Sequence, residues 1–341
     1  MILRKIHITQ GTTHVINFSV KGYNLKPFTL EAKYEMDHYL GFVQTEISDY
    51  TFASNYIWLS NASGFYGIIN NCFSLFILQA DQLTMLLPPM GEKRFINDAI
   101  VQCFEIMNSV NRDMTASRID YVCESLLSDF VNYLEEGTEI FEILENYVVE
   151  KRLVDYVYNT EDLINLSGGA YHTKRNEINK FKKVYPDAQV EILDPKIHKD
   201  ACMGLFHKWT ASRMQYMPKE DNERFMDGIS YERFALKRMF ASYNELGLFG
   251  IILKINDEFS GFTIGEKLSD TTASIIVEKT DFEILGSAQF IFREFSKALH
   301  TEYGSQYINV GDDMGFENLK KVKMSYRPTK LVPKYTIYQK V

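Results

Sequence analysis

No apolar run in the 341-residue sequence approaches the ~20 residues needed to cross a bilayer; the longest, Phe73 to Leu78 and Gly247 to Leu253, are strand-length. The start, Met1 to Gln10, carries basic residues without the apolar block and small-residue cleavage site of a secretory signal, so a cytoplasmic location is expected. Cysteine is scarce. Cys72, Cys103, Cys123 and Cys202 lack the paired spacing of a zinc site or a disulfide framework, so the expectation is buried, reduced thiols and no metal. There is no Ser-His-Asp order and no Walker loop, and the seven histidines are dispersed. Triad hydrolysis and P-loop phosphoryl transfer therefore have no basis here.

What is present is an ordinary globular composition, 45% hydrophobic and 24% charged, long enough for two cores. Charge is uneven: residues 1–149 hold 9 basic and 18 acidic side chains, whereas residues 150–341 hold 28 and 27. The excess of −8 thus belongs to the N-terminal half, and a polyanionic ligand is expected on the other half.

Segments Phe52 to Leu59, Phe65 to Ile69, Cys72 to Gln79 and Leu83 to Pro88 read as a strand meander. After Gly91 the residues Phe95, Ala99, Ile100, Cys103, Phe104 and Met107 recur at the helical period. Glu135 to Asp155 reads as a helix or strand pair near a boundary. In the second half, strands over Gly247–Ile255, Phe259–Lys267 and Thr272–Lys279 are joined by turns at Asn256-Asp257 and Ser269-Asp270. A turn at Gly286-Ser287-Ala288, a helix, a strand over Gln306–Val310, a short helix over Leu319–Lys323 and a final strand over Lys334–Gln339 follow. Meander, glycine turn, helix and strand occur in both halves, the order of a GNAT acetyltransferase fold. The expected fold class is therefore α/β (α+β): two tandem GNAT-like domains, residues 1–160 and 161–341, each a mixed, largely antiparallel sheet flanked by helices.

Three groups of residues could carry chemistry. Gly286 and Ser287 open a helix where unpaired amides favour an anion such as a pyrophosphate, although Asp281 and Glu283 oppose one. Lys174 to Lys183 presents five cations and one acid, with Lys174, Arg175 and Asn179 free for phosphates or Ile178 and Phe181 simply buried beneath a solvated face. Residues 318–341 contain seven basic side chains and no acid, interleaved with Tyr326, Tyr335 and Tyr338, a composition suited to stacking on a base and holding phosphates, or to an edge strand. Asn309, Asp312 and Asp313 follow a strand end, where carboxylates can orient an amine or cap a helix. Glu266 and Glu278, on facing strands, read as a second carboxylate pair.

The stretches Leu166-Ser167-Gly168 with Lys174 to Phe181, Gly261 to Glu266 with Glu278-Lys279, and Ile308-Asn309 through Asp313-Met314-Gly315, Leu319, Lys323, Ser325-Tyr326, Pro328 and Lys334-Tyr335 resemble the phosphatidylglycerol lysyltransferase C-terminal domain family. Phe52, Trp58 and Pro88 to Gly91 extend the likeness. Val310-Gly311-Asp312 stands where Arg-Glu-Gln is frequent in that family, and Lys320 replaces a common arginine. The resemblance, which reaches Fem-type aminoacyltransferases, implies transfer of an aminoacyl group from aminoacyl-tRNA to a lipid head group or small-molecule acceptor. It implies no tightly bound cofactor, and contact with a membrane surface from one side. On it, Asp313, Glu278 and Asn309 are the expected catalytic residues. Lys174, Arg175, Asn179, Gly286, Ser287, Lys323 and Tyr326 are expected on the donor and its phosphates. The residues by themselves leave two alternatives: acyl-CoA as donor at the Gly286 turn, and a non-catalytic binding protein on the same fold.

Overall fold

The computed structural model describes residues 18–59, 63–127, 146–216 and 222–340. They form a mixed α/β structure of two compact units, Met1–Leu153 with Pro333–Val341, and Val154–Val332.

In the first unit β1 (Phe18–Val20), β2 (Tyr23–Pro27), β3 (Ser63–Ile69), β4 (Cys72–Gln79) and β5 (Gln82–Met85) make an antiparallel meander. Helices α1 (Lys33–Leu40) and α2 (Phe52–Trp58) are inserted between β2 and β3. Helix α3 (Lys93–Val110) crosses over to β6 (Arg118–Val122), which runs parallel to β5. Its buried residues Ile96, Ala99, Ile100, Cys103, Phe104 and Met107 fall on one stripe and meet Cys72, Phe76, Leu83 and Met85 of the sheet. Each such fully buried large side chain contributes roughly 1.5–3 kcal/mol.

The second unit repeats the plan. Strands β8 (Gln189–Ile192), β9 (Phe249–Ile255), β10 (Glu258–Lys267) and β11 (Thr272–Thr280) are antiparallel, and α8 (Ser287–Tyr303) crosses over to β12 (Tyr307–Asn309), parallel to β11. Non-glycine left-handed residues Asn256 and Asp257 make the β9–β10 turn, as their amide and carboxylate side chains allow. Helices α4 (Thr160–Asn165) and α5 (His172–Val184) pack against α8, while α6 (Pro195–Tyr216) packs on β10 and β11 and on α7 (Asn222–Ala241). A short α9 (Glu317–Met324) precedes β13 (Lys330–Gln339).

Each sheet is completed by a strand from the other half of the sequence. Strand β7 (Tyr147–Asn159) follows β6 in sequence, yet Val157, Tyr158 and Asn159 pair with β12. Strand β13 follows β12 and α9, yet Tyr335, Ile337 and Tyr338 pair with β6. In the first unit the buried Lys334 fixes β13 by binding the Asp49 carboxylate, with its ammonium 5.0 Å from the Tyr121 ring centroid.

One element read from the sequence differs from what forms. Phe52 to Leu59 is helical, because Thr51 caps it: its hydroxyl accepts from the Ser54 amide at 3.0 Å, and this local bond outweighs the strand-like composition. Of Glu135 to Asp155, read as a helix or strand pair, residues 135–145 lie outside the described residues, and Tyr147 to Asp155 belong to strand β7. All four cysteines are buried and free, with burial pushing the Cys72, Cys103 and Cys202 thiols up to about 12.

Close approach at Gly265 is the most demanding point of the second sheet, since an added Cβ would lie 2.2 Å from the Ser274 carbonyl oxygen. Gly265→Ala is expected to cost about 2–4 kcal/mol in urea unfolding. Gly204→Ala, in α6 with nothing within 4 Å, is expected to gain up to about 1 kcal/mol.

Candidate active site in the second unit

Strand register decides which side chains can meet. Thr263 lies opposite Glu278, and Glu266 opposite Ser274, with a bulge between Ile264 and Gly265 where β11 carries the extra residue Ile276. Thr263 and Glu266 are three apart on β10, so their side chains emerge on opposite faces. The expected Glu266–Glu278 pair therefore does not form.

Glu278 instead shares its face with Thr263, Gly261 and Gly265, the face covered by Ile291 and Phe295 of α8. Its Oε2 is enclosed and has no hydrogen-bond partner, and the same is true of Thr263 Oγ1 across the strand pair. Two buried polar atoms left unmet at neighbouring positions are unusual, because each forgoes its hydration. Removal from water pushes the Glu278 carboxyl up from 4.5 to about 8, opposed only by the adjacent Lys279.

Lys279 projects to the other face, with its ammonium 2.8 Å from Glu232 of α7 and 3.9 Å from the centroid of the Trp209 ring of α6. Arg213 flanks the same ring at 5.7 Å.

On the Glu278 side Tyr326 is buried among Tyr158 and Phe292, at ring-centroid distances of 6.3 and 4.8 Å. Its phenol is held well above the ordinary value by burial first, then by the charges of Glu278 and Glu177. Lys174 reaches over the ring at 4.4 Å and lies 3.8 Å from Glu177 Oε2, with only 14% of its side chain exposed. Burial lowers the Lys174 ammonium, and Glu177 partly restores it. Lys174 and Glu278 thus both adjoin Tyr326, with Glu177 beside Lys174.

The α5 neighbours behave differently. Arg175 donates to the carbonyl oxygens of Leu166 and Gly168, tying down a loop with left-handed φ at both residues. Asn179 is exposed on the outer side of α5.

Asn309, Asp313 and Lys323 form a second set. Asn309 is buried, donates to Asp155 at 2.9 Å and accepts from the Gly311 amide at 2.7 Å. Asp313 accepts from the Tyr156 hydroxyl at 2.5 Å and from the Gly315 amide at 2.9 Å. Lys323 directs its ammonium at the carbonyl oxygens of Val310, Gly311 and Asp312, at 2.6, 3.1 and 2.5 Å. These bonds shape the loop after β12. The two sets adjoin through Tyr158, whose hydroxyl donates to the Lys323 carbonyl and whose ring meets Tyr326.

At the turn before α8, Gly286 has φ +87° and its missing Cβ would lie 2.9 Å from both the Glu177 carbonyl oxygen and Phe181 Cβ. The Ser287 hydroxyl donates to the Ile284 carbonyl at 2.6 Å. Helix α5 therefore presses on the turn where a pyrophosphate would be expected, presenting a carbonyl oxygen there.

Glu177, Thr263, Tyr156 and Tyr158 were not singled out by the sequence reading. The Tyr-Val-Tyr alternation at 156–158 carries a usable signal, two aromatics on one strand face. Thr263 becomes visible only once its register with Glu278 is known.

A crystal structure of a conserved protein of unknown function from Bacteroides thetaiotaomicron superposes with a TM-score of 0.76 at 25% identity, over 94% of this chain and 100% of that one. The C-terminal domain of an Agrobacterium fabrum protein assigned as a lysylphosphatidylglycerol synthetase shares the fold, with a TM-score of 0.62 at 14% identity and 92% of each chain covered. An uncharacterised protein of Mycoplasmoides gallisepticum is 24% identical over 205 residues, 59% of this chain, and the match spans only 62% of that protein's length. The sequence model described as "Phosphatidylglycerol lysyltransferase, C-terminal" matches residues 41–338, most of the chain and both units, and the protein belongs to that family.

Proposed function

We propose that the second unit transfers an aminoacyl group from aminoacyl-tRNA to a hydroxyl or amine of a lipid head group or small molecule, on the cytoplasmic side. The observation that carries this reading is the pair of unmet polar atoms, Glu278 Oε2 and Thr263 Oγ1, beside the β11 bulge. Acyl transfer between oxygen nucleophiles needs a group that takes a proton from the acceptor and returns it to the leaving oxygen. A carboxyl at about 8 is poised for both, since proton transfer is most efficient near the working pH. The bulge leaves Ile276 without a register partner on β10, and its N–H is the backbone donor assigned to the acyl oxygen. Lys174, over Tyr326 and next to Glu177, stabilises the departing ribose oxygen or its phosphate. Family membership supports the aminoacyl class of donor. Asn309, Asp313 and Lys323 shape the wall of this site through their bonds to the 310–315 loop. Arg175 acts through the 166–168 loop.

Against coenzyme A stand the Glu177 carbonyl oxygen at the Gly286 turn and the carboxylates of Asp281 and Glu283, both already held by Lys208. Calorimetry is expected to find acetyl-CoA binding weaker than ~100 μM, about 5.5 kcal/mol. Low-micromolar affinity would transfer the assignment to an acyl-CoA donor.

Glu278→Gln is expected to lower transfer from aminoacyl-tRNA by about 100-fold or more. In the wild type, the rate should rise with pH and level off near 8, as the carboxylate form accumulates. The same substitution has a stability signature of opposite sign. The folded carboxyl keeps its proton to about 8 and the unfolded one releases it near 4.5, so the wild type loses stability as pH rises through that window. Glutamine removes the penalty, so the variant should melt above the wild type at pH 8 and close to it at pH 4.5. Lower melting at every pH would mean that lost activity reports unfolding instead.

A further inference from the structure

The first unit contains a cavity that the acyl-transfer reading does not use. Its volume is about 380 Å³, and it is lined by Val101, Phe104, Glu105, Asn108, Tyr147 and Gln339, with Asn146 at its edge. That volume falls in the range of small-molecule sites and greatly exceeds what one water fills.

The cavity is built by periodicity. Val101, Phe104, Glu105 and Asn108 are spaced i, i+3, i+4 and i+7, so α3 turns one continuous face to it, adjoining the stripe that enters the core and sharing Phe104 with it. Phe104 meets the Tyr147 ring at 4.8 Å with a tilt of 43°, giving an aromatic wall. The Asn108 amide donates to Gln339 Oε1 at 2.5 Å, which leaves Asn108 Oδ1 buried with no partner. A lone buried acceptor on an apolar wall calls for a donor from a ligand. Glu105 stands at the mouth with 59% of its side chain exposed, its carboxylate 3.6 Å from Lys21. The surrounding half of the sequence holds twice as many acidic as basic side chains, 18 against 9. Carboxylate, acceptor and aromatic faces all favour a cation that can donate hydrogen bonds.

We infer that this cavity binds a small protonated amine bearing an apolar ring. The ring lies on Phe104, Tyr147 and Val101, one N–H bonds Asn108 Oδ1, and the ammonium faces Glu105.

Titration of the full chain with phenethylamine, followed by calorimetry and by amide chemical shifts, tests this. Phenylpropionate, the same ring with the opposite charge, serves as control. Saturable binding is expected with a dissociation constant below about 1 mM, at least about tenfold tighter than phenylpropionate, with the largest shifts at Tyr147 and on α3. Glu105→Gln, at an exposed position, should weaken the amine about fivefold or more without altering the melting temperature. Val101→Trp should fill the space and abolish binding. Absence of saturation at about 10 mM, equal affinity for the carboxylate, or an unchanged affinity in both variants would overturn the assignment. Loss of transfer activity in the second unit would leave these outcomes unaffected.

Discussion

A carboxylate oxygen withheld from water, Oε2 of the half-buried Glu278, governs the second unit. Glu278 is carried on β11 two residues after its bulge, on the face roofed by α8, opposite a threonine whose hydroxyl is also unmet. Burying a charge without a partner is so unfavourable that the group holds its proton instead, which is what raises it to about 8. Lys279 relieves it only in part, because the strand alternation sends that ammonium to the other face, where Glu232 and Trp209 engage it. Tyr326, Lys174 and Glu177 then assemble around the neutral acid. The aromatic packing of Tyr158 and Phe292 holds the tyrosine ring in place.

The fold supplies the stiffness this requires. Glycines at 261, 265 and 286 let β10, β11, α8 and α5 approach to distances that a side chain would forbid, so the roof over the site is close. Asn309, Asp313 and Lys323 use their polar groups on the backbone and on β7, keeping the loop after β12 in one shape. The strand exchange matters in the same way. Residues 156 and 158, which contact that loop and Tyr326, arrive on β7 from the first half of the sequence.

The meanders, the glycine turns and the helices after Gly91 and Gly286 were legible because period and turn chemistry are local. Lys174, Glu278 and Tyr326 stand in the segments that carry the family resemblance, but that resemblance pairs Lys174 with Arg175 and Lys323, and strand composition pairs Glu278 with Glu266. Three things were hidden for physical reasons. The capping bond of Thr51 overrode the composition of Phe52 to Leu59. The bulge at Ile276 and the three-residue offset between Thr263 and Glu266 put Glu266 and Glu278 on opposite faces, which depends on register and not on composition. The cations Arg175 and Lys323 look available for phosphates in sequence, yet each binds backbone carbonyl oxygens, a use that only tertiary structure reveals.

The most direct test of this account is a carbon-13 titration of the Glu278 carboxyl in the intact protein, assigned by its loss in Glu278→Gln. A midpoint near 8 is expected, with the neutral acid dominant at pH 7. A midpoint below about 5, the ordinary carboxylate range, would show the group to be hydrated and charged, and would contradict its place at the centre of the chemistry.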